Sequence, residues 1–181
     1  FQDGFDITET VEETIIVEPL GESTTTQLTL EFGAGRMYLL PGTDQLVEGL
    51  ATYNVEKLAP EVVIKSNRVK LSQGDADYMF GGWPNLDEIE NTWELRLGIE
   101  PLDLVINSGA FTGELDLGGL SLETLSVNDG ASDVEIDFSS LNQTVLQDFD
   151  YNTGASRVQM ENLANANMEN MSFTCGAGTY N

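Results

Sequence analysis

Carboxylates are the side chains most able to do chemistry in this sequence, and several recur at intervals of 21 to 24 residues in its second half. Oxygen ligands of this kind suit a hard cation such as Ca²⁺, whereas like charges on neighbouring strands repel one another. The spacing therefore predicts either a hydrated acidic face or a weak Ca²⁺ site, and no other cofactor. No EF-hand loop or Gly-Gly-x-Gly-x-Asp repeat accompanies these carboxylates. They are Glu114, Glu135, Asp116, Asp137 and Glu161.

A second group of candidate residues lies between positions 75 and 83. The aromatic and turn-rich sequence around Tyr78, Phe80 and Trp83 favours a loop. We interpret its side chains either as an apolar plug over an edge of the fold or as a surface that stacks on a sugar or a partner protein. Asp75 and Asp77 are interpreted as a solvated turn, because neither has a His, Lys or Arg beside it to form an acid and base pair.

The chain has no histidine, which removes the commonest general base and the commonest metal ligand. Its seven Lys and Arg residues are scattered between Arg36 and Arg157. We therefore expect no catalytic residues and a protein that is not an enzyme. The alternative is a carbohydrate-active β-helix enzyme, which would need two carboxyl groups about 5 to 10 Å apart in a groove.

The formal net charge of −24 limits the partners of this chain. An acidic surface repels nucleic acid and anionic membranes, because binding phosphates requires Lys and Arg. No apolar run approaches the roughly 20 residues needed to span a membrane, so no membrane span is predicted within the chain. The single cysteine, Cys175, cannot form an intramolecular disulfide and is expected on a partly exposed turn. A protein, an envelope polymer or a cation remains as the expected partner.

A recurring Gly-Ala pair identifies the elements that must position these residues. Apolar residues stand three and five positions before each glycine, and a spacing of two predicts strands with one buried face. The interval between the last four pairs is typical of a solenoid, in which each coil stacks on its neighbour. The sequence therefore predicts an all-β, single-domain β-solenoid with coils of about 21–24 residues. The pairs begin at Gly33, Gly109, Gly130, Gly154 and Gly176.

The pairs are predicted to be corners at which glycine supplies a positive φ. Two residues before the last four glycines stand Asn107, Asn128, Asn152 and Thr174. Stacking would place these side chains about 4.8 Å apart, and we predict a structural Asn ladder along the stack. Leucine-rich repeats have a similar period, but their consensus asparagine and second-half leucine are missing here.

The predicted domain covers 1–181 and has three parts. A lead-in over 1–27 precedes irregular coils over 28–108, which carry an insertion near 74–92. Regular repeats follow over 109–181.

Four stretches of the sequence resemble the toast-rack family, which is similar to adhesin-like domains and to the C-terminal domain of cell-wall-active antibiotic response proteins. The resemblance runs from about Thr10 to the end of the chain. It implies a bacterial cell-surface or envelope interaction domain, extracytoplasmic and anchored by a segment upstream of Phe1, with no catalytic residues to carry over. The stretches are Leu28-Thr-Leu-Glu-Phe-Gly-Ala-Gly35, Trp93-x-Leu95-x-Leu97, Pro101-Leu102-x-Leu104 and Leu115-Asp-Leu-x-x-Leu120.

The sequence reaches Asn181 five residues after Gly176, in the middle of a predicted coil. A stack that stops there leaves an open strand edge. We expect a further strand or a second copy of the chain to cover it, so self-association through this end is predicted. A purely structural spacer is the third interpretation of the whole chain.

Overall fold

The computed structural model of the chain describes residues 7–21, 25–73 and 88–180. These residues form ten β-strands and two short 3₁₀ turns, Glu56–Leu58 and Leu163–Ala166, with no α-helix among them. The strands in chain order are β1 (Ile7–Val17), β2 (Thr26–Thr43), β3 (Val47–Val55), β4 (Pro60–Lys65), β5 (Arg68–Gln73), β6 (Asn91–Gly98), β7 (Pro101–Asp116), β8 (Ser121–Asp137), β9 (Leu146–Glu161) and β10 (Met168–Tyr180). The all-β prediction is confirmed.

All ten strands belong to one mixed sheet with the order β1-β3-β6-β2-β7-β8-β9-β10. The consecutive pairs from β2 to β10 are parallel, whereas β3 is antiparallel to both β1 and β6. The β4–β5 hairpin joins the sheet through β5, which is parallel to β2. None of the helical turns in the described ranges has the length or apolar character needed to cross a bilayer.

The Gly-Ala repeat sets the register of the parallel strands. Ala34 pairs with Ala110, and the series continues through Ala131, Ala155 and Ala177. The apolar residues three positions before each glycine are fully buried in β2, β7, β8 and β9, and so are those five positions before it. Burial of these rows on one side of the strands gives the stack a continuous core, as the spacing of two predicts. The rows are Leu28, Leu30, Leu104, Ile106, Leu125, Val127, Phe149 and Tyr151.

The predicted role of the repeated glycines is wrong. None of the five has a positive φ; among the residues that the structure describes, the glycines that do are Gly21, Gly35, Gly42 and Gly119. Instead, the repeated glycines lie inside long strands and approach the backbone of the previous strand. A Cβ built on Gly130 would lie 2.7 Å from the carbonyl oxygen of Gly109, and one on Gly154 would lie 2.4 Å from that of Gly130. Glycine is required here because any side chain would collide with a neighbouring main chain.

Two short strands, β5 and β6, pair with the edge of β2 that faces away from β7. β5 pairs with Gln27–Glu31 and β6 with Arg36–Thr43, so the two strands flank the first Gly-Ala pair. Between them, the Gln73 side chain accepts a hydrogen bond from the Gly33 amide at 2.9 Å and donates to Asn91 at 2.6 Å. Asn91 donates in turn to the Ala34 carbonyl at 2.5 Å. Buried side-chain amides thus bond the Gly33-Ala34 backbone groups at this end of the stack.

Candidate functional site

An open groove of about 820 Å³ follows the Gly-Ala row across the parallel strands. The position two before each glycine lines it in β2, β7, β8, β9 and β10, whereas the Gly-Ala pairs line it only from β2, β7 and, through Gly130, β8. Glycine and alanine leave little side-chain bulk along its floor, which lets a ligand approach the main chain closely. Its lining is Glu31, Phe32, Gly33, Ala34, Asn107, Ser108, Gly109, Ala110, Asn128, Asp129, Gly130, Asn152, Thr153 and Thr174.

The predicted Asn ladder lines this groove and is confirmed. The Asn128 Nδ2 donates to Asn107 Oδ1 at 3.0 Å, and the Asn152 Nδ2 donates to Asn128 Oδ1 at 3.0 Å. Each primary amide has two N–H donors and an oxygen with two lone pairs. Asn128 uses its second donor on Ser126 Oγ at 3.2 Å, so the capacity left for a ligand lies mainly in the donors of Asn107 and Asn152.

Asp129 is the carboxylate at the centre of the groove and is held by three hydroxyl groups. It accepts hydrogen bonds from the Tyr151 hydroxyl at 2.7 Å, from Thr153 Oγ1 at 2.5 Å and from Ser156 Oγ at 3.0 Å. Burial of the Tyr151 phenol, together with its hydrogen bond to Asp129, raises the pKa of Tyr151 far above its usual value. Tyr151 is therefore a neutral donor at ordinary pH, and it fixes the carboxylate instead of activating it.

Two further polar groups stand at the β2 side of the groove. Ser108 Oγ is buried and has no hydrogen-bond partner within the described residues. Glu31 forms an ion pair with Lys70, with 2.5 Å between Oε2 and Nζ. The exposed lining of the groove is mostly apolar, with a few amides, a hydroxyl and main-chain groups, and its carboxylates are already engaged. This chemistry suits an uncharged ligand that combines apolar surface with hydroxyl or amide groups.

The predicted acidic rows are aligned across the strands. Glu114 pairs with Glu135, Asp116 pairs with Asp137, and Asp137 pairs with Glu161. Asp116 accepts hydrogen bonds from Ser139 Oγ at 2.7 Å, and Asp137 accepts one from the Asn162 amide at 2.7 Å. Across residues 7–21, 25–73 and 88–180, no group of three or more such side chains is placed to hold a metal ion. The Ca²⁺ site at these residues stays a prediction.

The aromatic candidates Tyr78, Phe80 and Trp83 lie outside the described residues, as do Asp75 and Asp77. Cys175 is exposed, as predicted, but it lies within β10 and not on a turn.

Sequence reasoning missed the groove, although it identified the Asn row and the Gly-Ala pairs. Ser108, Asp129 and Thr153 stand directly before three of the glycines, and the prediction of a corner at each Gly-Ala pair places them on turns. The signal that could have identified the site is the combination of two polar positions with a Gly-Ala pair, which recurs at Gly109, Gly130 and Gly154. Within a continuous sheet, that combination places a polar wall beside a floor without side chains.

The comparisons with known proteins agree with this architecture. The chain is similar to a putative cell adhesion protein from Clostridium sporogenes ATCC 15579, with a TM-score of 0.79 and 19% identity, over 96% of this chain and 98% of that one. A putative adhesin from Bacteroides fragilis NCTC 9343 follows, with a TM-score of 0.32 and 10% identity, over 96% of this chain and 97% of that one. The first of these similarities shows the same fold. No curated protein matches the chain.

A family model described as the N-terminal domain of toast_rack, DUF2154, matches residues 6–140, which include eight of the ten described strands, β1 to β8. This match covers most of the chain and includes the first three Gly-Ala pairs and the strands that cover them. The resemblance seen in the sequence is therefore confirmed, and the chain belongs to the family of toast_rack N-terminal domains.

Proposed function

We propose that this chain is a non-enzymatic cell-surface interaction domain that binds an envelope polymer along the groove of the Gly-Ala row. The observation that carries the proposal is the groove itself, which runs across five parallel strands and is lined by the Asn ladder. A long ligand lying across the strands meets similar groups at each one, so the repeat suits a polymer with repeated hydroxyl or amide groups.

The similarity to a structure named as a cell adhesion protein supports the surface location. We place the domain outside the cytoplasm, anchored by a segment upstream of Phe1. The net charge of −24 supports a partner other than nucleic acid or an anionic membrane.

The groove chemistry supports binding without catalysis. Glu31 and Asp129 are its two carboxylates and stand on β2 and β8, with β7 between them. A glycosidase needs two carboxyl groups that are available to act on one bond, the first as acid and the second as base or nucleophile. Here Glu31 is paired with the Lys70 ammonium and Asp129 accepts hydrogen bonds from three hydroxyl groups, so both carboxylates are already engaged.

We also propose that the repeats form the coils of a β-solenoid. The connections between strands support this, because they too bond to the connection one repeat later. The Gly119 amide donates to the Ser140 carbonyl at 3.2 Å, and the Asn142 amide donates to the Asn165 carbonyl at 2.8 Å. Strand and connection thus repeat together, as stacked coils require.

The groove proposal is tested by filling the groove without disturbing the core. Ala110 lines the groove and is exposed, so Ala110→Tyr blocks it with a side chain that strands accommodate. Ala131→Tyr is the matched control, because Ala131 is exposed in the same row one strand later but does not line the groove. Co-sedimentation of the labelled domain with purified bacterial cell walls measures binding.

We expect wild type and Ala131→Tyr to sediment with the walls, and Ala110→Tyr to bind at least about tenfold more weakly, or about 1.4 kcal/mol. Equal binding by the two variants would remove the groove as the site. Failure of the wild type to bind cell walls would reject an envelope polymer as the ligand.

A further inference from the structure

The last strand of the sheet has one unoccupied edge. β10 pairs with β9 on one side, and no other described strand pairs with it. The core row becomes exposed there: Met171 is 41% exposed, whereas Phe149, its neighbour in β9, is 0% exposed. Phe173 is only half-buried, although it packs on Tyr151 with 5.3 Å between ring centroids.

This edge lacks the features by which proteins prevent strand addition. Exposed edge strands are usually protected by charges, prolines or bulges. The two other edge strands follow the rule: β1 carries Glu9, Glu12 and Glu13, and β4 carries Pro60, Glu61 and Lys65. In contrast, the 13 residues of β10 contain one charge, Glu169, and no proline. In so acidic a chain, the near-neutral strand is the one suited to pairing.

The sequence of β10 is complementary to itself in the antiparallel direction. Core-side residues stand three before and four after the glycine, at Phe173 and Tyr180, and therefore lie symmetrically about the Gly176-Ala177 bond. A two-fold axis through that bond brings Phe173 opposite Tyr180 of a second copy, and Thr174 opposite Thr179. Residues on the core side of one β10 strand then lie opposite residues on the core side of the other. The pairing therefore keeps core-side and outward side chains on the same two faces in both copies.

We propose that two copies of this chain associate through their β10 strands, antiparallel about the Gly176-Ala177 bond, so that the two sheets become continuous. Phe173 and Tyr180 already contact each other with centroids 5.0 Å apart, and the pairing doubles this aromatic cluster. The proposal is independent of the groove as a binding site. The β10 strand of a second copy fits this edge better than the β1 or β4 strand of a neighbour. Both of those strands are charged, and neither contains a glycine to lie beside the Gly176-Ala177 bond.

The first test is the mass of the chain 1–181 in solution. Light scattering and sedimentation across a concentration series should give twice the chain mass of 19.7 kDa. Added salt should strengthen the dimer, because it screens the repulsion between two copies that each carry a charge of −24. A monomer at every concentration and salt level would overturn the proposal.

The second test fixes the register through disulfide formation in a Cys175→Ser background. Thr174 and Thr179 are exposed, and the pairing places each opposite the other residue of the second copy. The double variant T174C/T179C should therefore be cross-linked to a dimer by mild oxidation and released by reduction. The single variants T174C and T179C are matched controls, because their thiols stay five residues apart along the paired strands, beyond the reach of a disulfide.

Cross-linking of the single variants as readily as the double variant would overturn the register. A complementary experiment uses charge. T174E/T179E and T174K/T179K should each weaken the dimer at least about tenfold, because like charges then stand directly opposite each other. Mixing the two variants should restore a dimer that contains one copy of each. A mixture that stays monomeric would count against the proposed pairing.

Discussion

At the scale of single residues, the repeated glycine is required by what lies next to it and not by its own conformation. The five glycines have no positive φ, yet a Cβ on any of the last four would lie within 2.7 Å of a carbonyl oxygen in the previous strand. Contacts between main chains at least 21 residues apart cannot be read from local turn chemistry. The sequence located these glycines correctly, but their role becomes visible only when the strands are paired.

Gly130→Ala should therefore destabilise the protein through a collision in the folded state. We expect the free energy of unfolding to fall by about 1–3 kcal/mol, as for other overpacked sites. Ala131→Ser is the control, because its side chain is exposed and the change should stay within about 0.5 kcal/mol. Urea denaturation measures both values. Equal stability of the two variants would contradict the collision.

A second prediction at the residue scale concerns Tyr53. Two effects raise the pKa of Tyr53 to about 12. Burial is the larger one, and the 2.8 Å hydrogen bond to Glu13 is the next. An unfolded tyrosine ionises near pH 10, so the folded state holds this proton more tightly. The stability contributed by Tyr53 is complete below pH 10 and is lost as pH rises from 10 through 12.

Absorbance titration of wild type and Tyr53→Phe should show that the substitution removes a phenol titrating near pH 12. The substituted protein should also lose less stability between pH 10 and 12. Glu13→Gln should lower the pKa of Tyr53, because it removes the carboxylate that accepts the hydrogen bond. A difference spectrum between wild type and Tyr53→Phe that titrates at pH 10 would contradict this assignment.

At the scale of the elements, the second half of the chain was predictable and the first half was not. From Pro101 onward, each strand pairs in parallel with the next, and position alone fixes the register. In the first half, the alternation of Trp93, Leu95 and Leu97 predicts a strand but does not identify its partners. That strand, β6, is parallel to β2 and antiparallel to β3, because β3 returns along its other edge.

The Asn ladder gives a prediction at this scale, because its members do not have equal roles. Asn128 both donates and accepts within the ladder, whereas Asn107 only accepts. Asn128→Asp replaces a needed donor with a carboxylate beside Asn107 Oδ1. Asn107→Asp keeps the acceptor for the Asn128 amide and makes it a charged one.

We expect Asn128→Asp to cost about 1 kcal/mol more than Asn107→Asp in thermal or urea unfolding at neutral pH. The excess should disappear in acid, where a protonated Asp at position 128 can donate again. If Asn107→Asp were the more damaging change, the hydrogen bonds of the ladder would have to point the other way, with Asn107 as the donor.

At the scale of the whole molecule, the repeated interval should be a removable unit. Deleting residues 110–130 joins Gly109 to Ala131 and restores a Gly-Ala pair with the apolar rows in register. In a stacked repeat, each unit contacts only the units next to it, so the shortened chain should still fold. It should have a lower melting temperature, because one unit and one interface are lost. The control deletion, residues 110–120, removes half an interval and should abolish cooperative unfolding. Circular dichroism and thermal melting of the two proteins distinguish these outcomes.

The hydrogen bonds between the parallel strands also determine how this domain would respond to force. They lie across the strands, along the direction of stacking, so a load that separates β10 from β9 breaks them one after another. Such peeling needs little force for each bond, and every released interval of 21 to 24 residues adds roughly 70–85 Å of extended chain. A sheet built in this way should lengthen in steps under tension and dissipate energy at each one, before the remaining strands experience the full load.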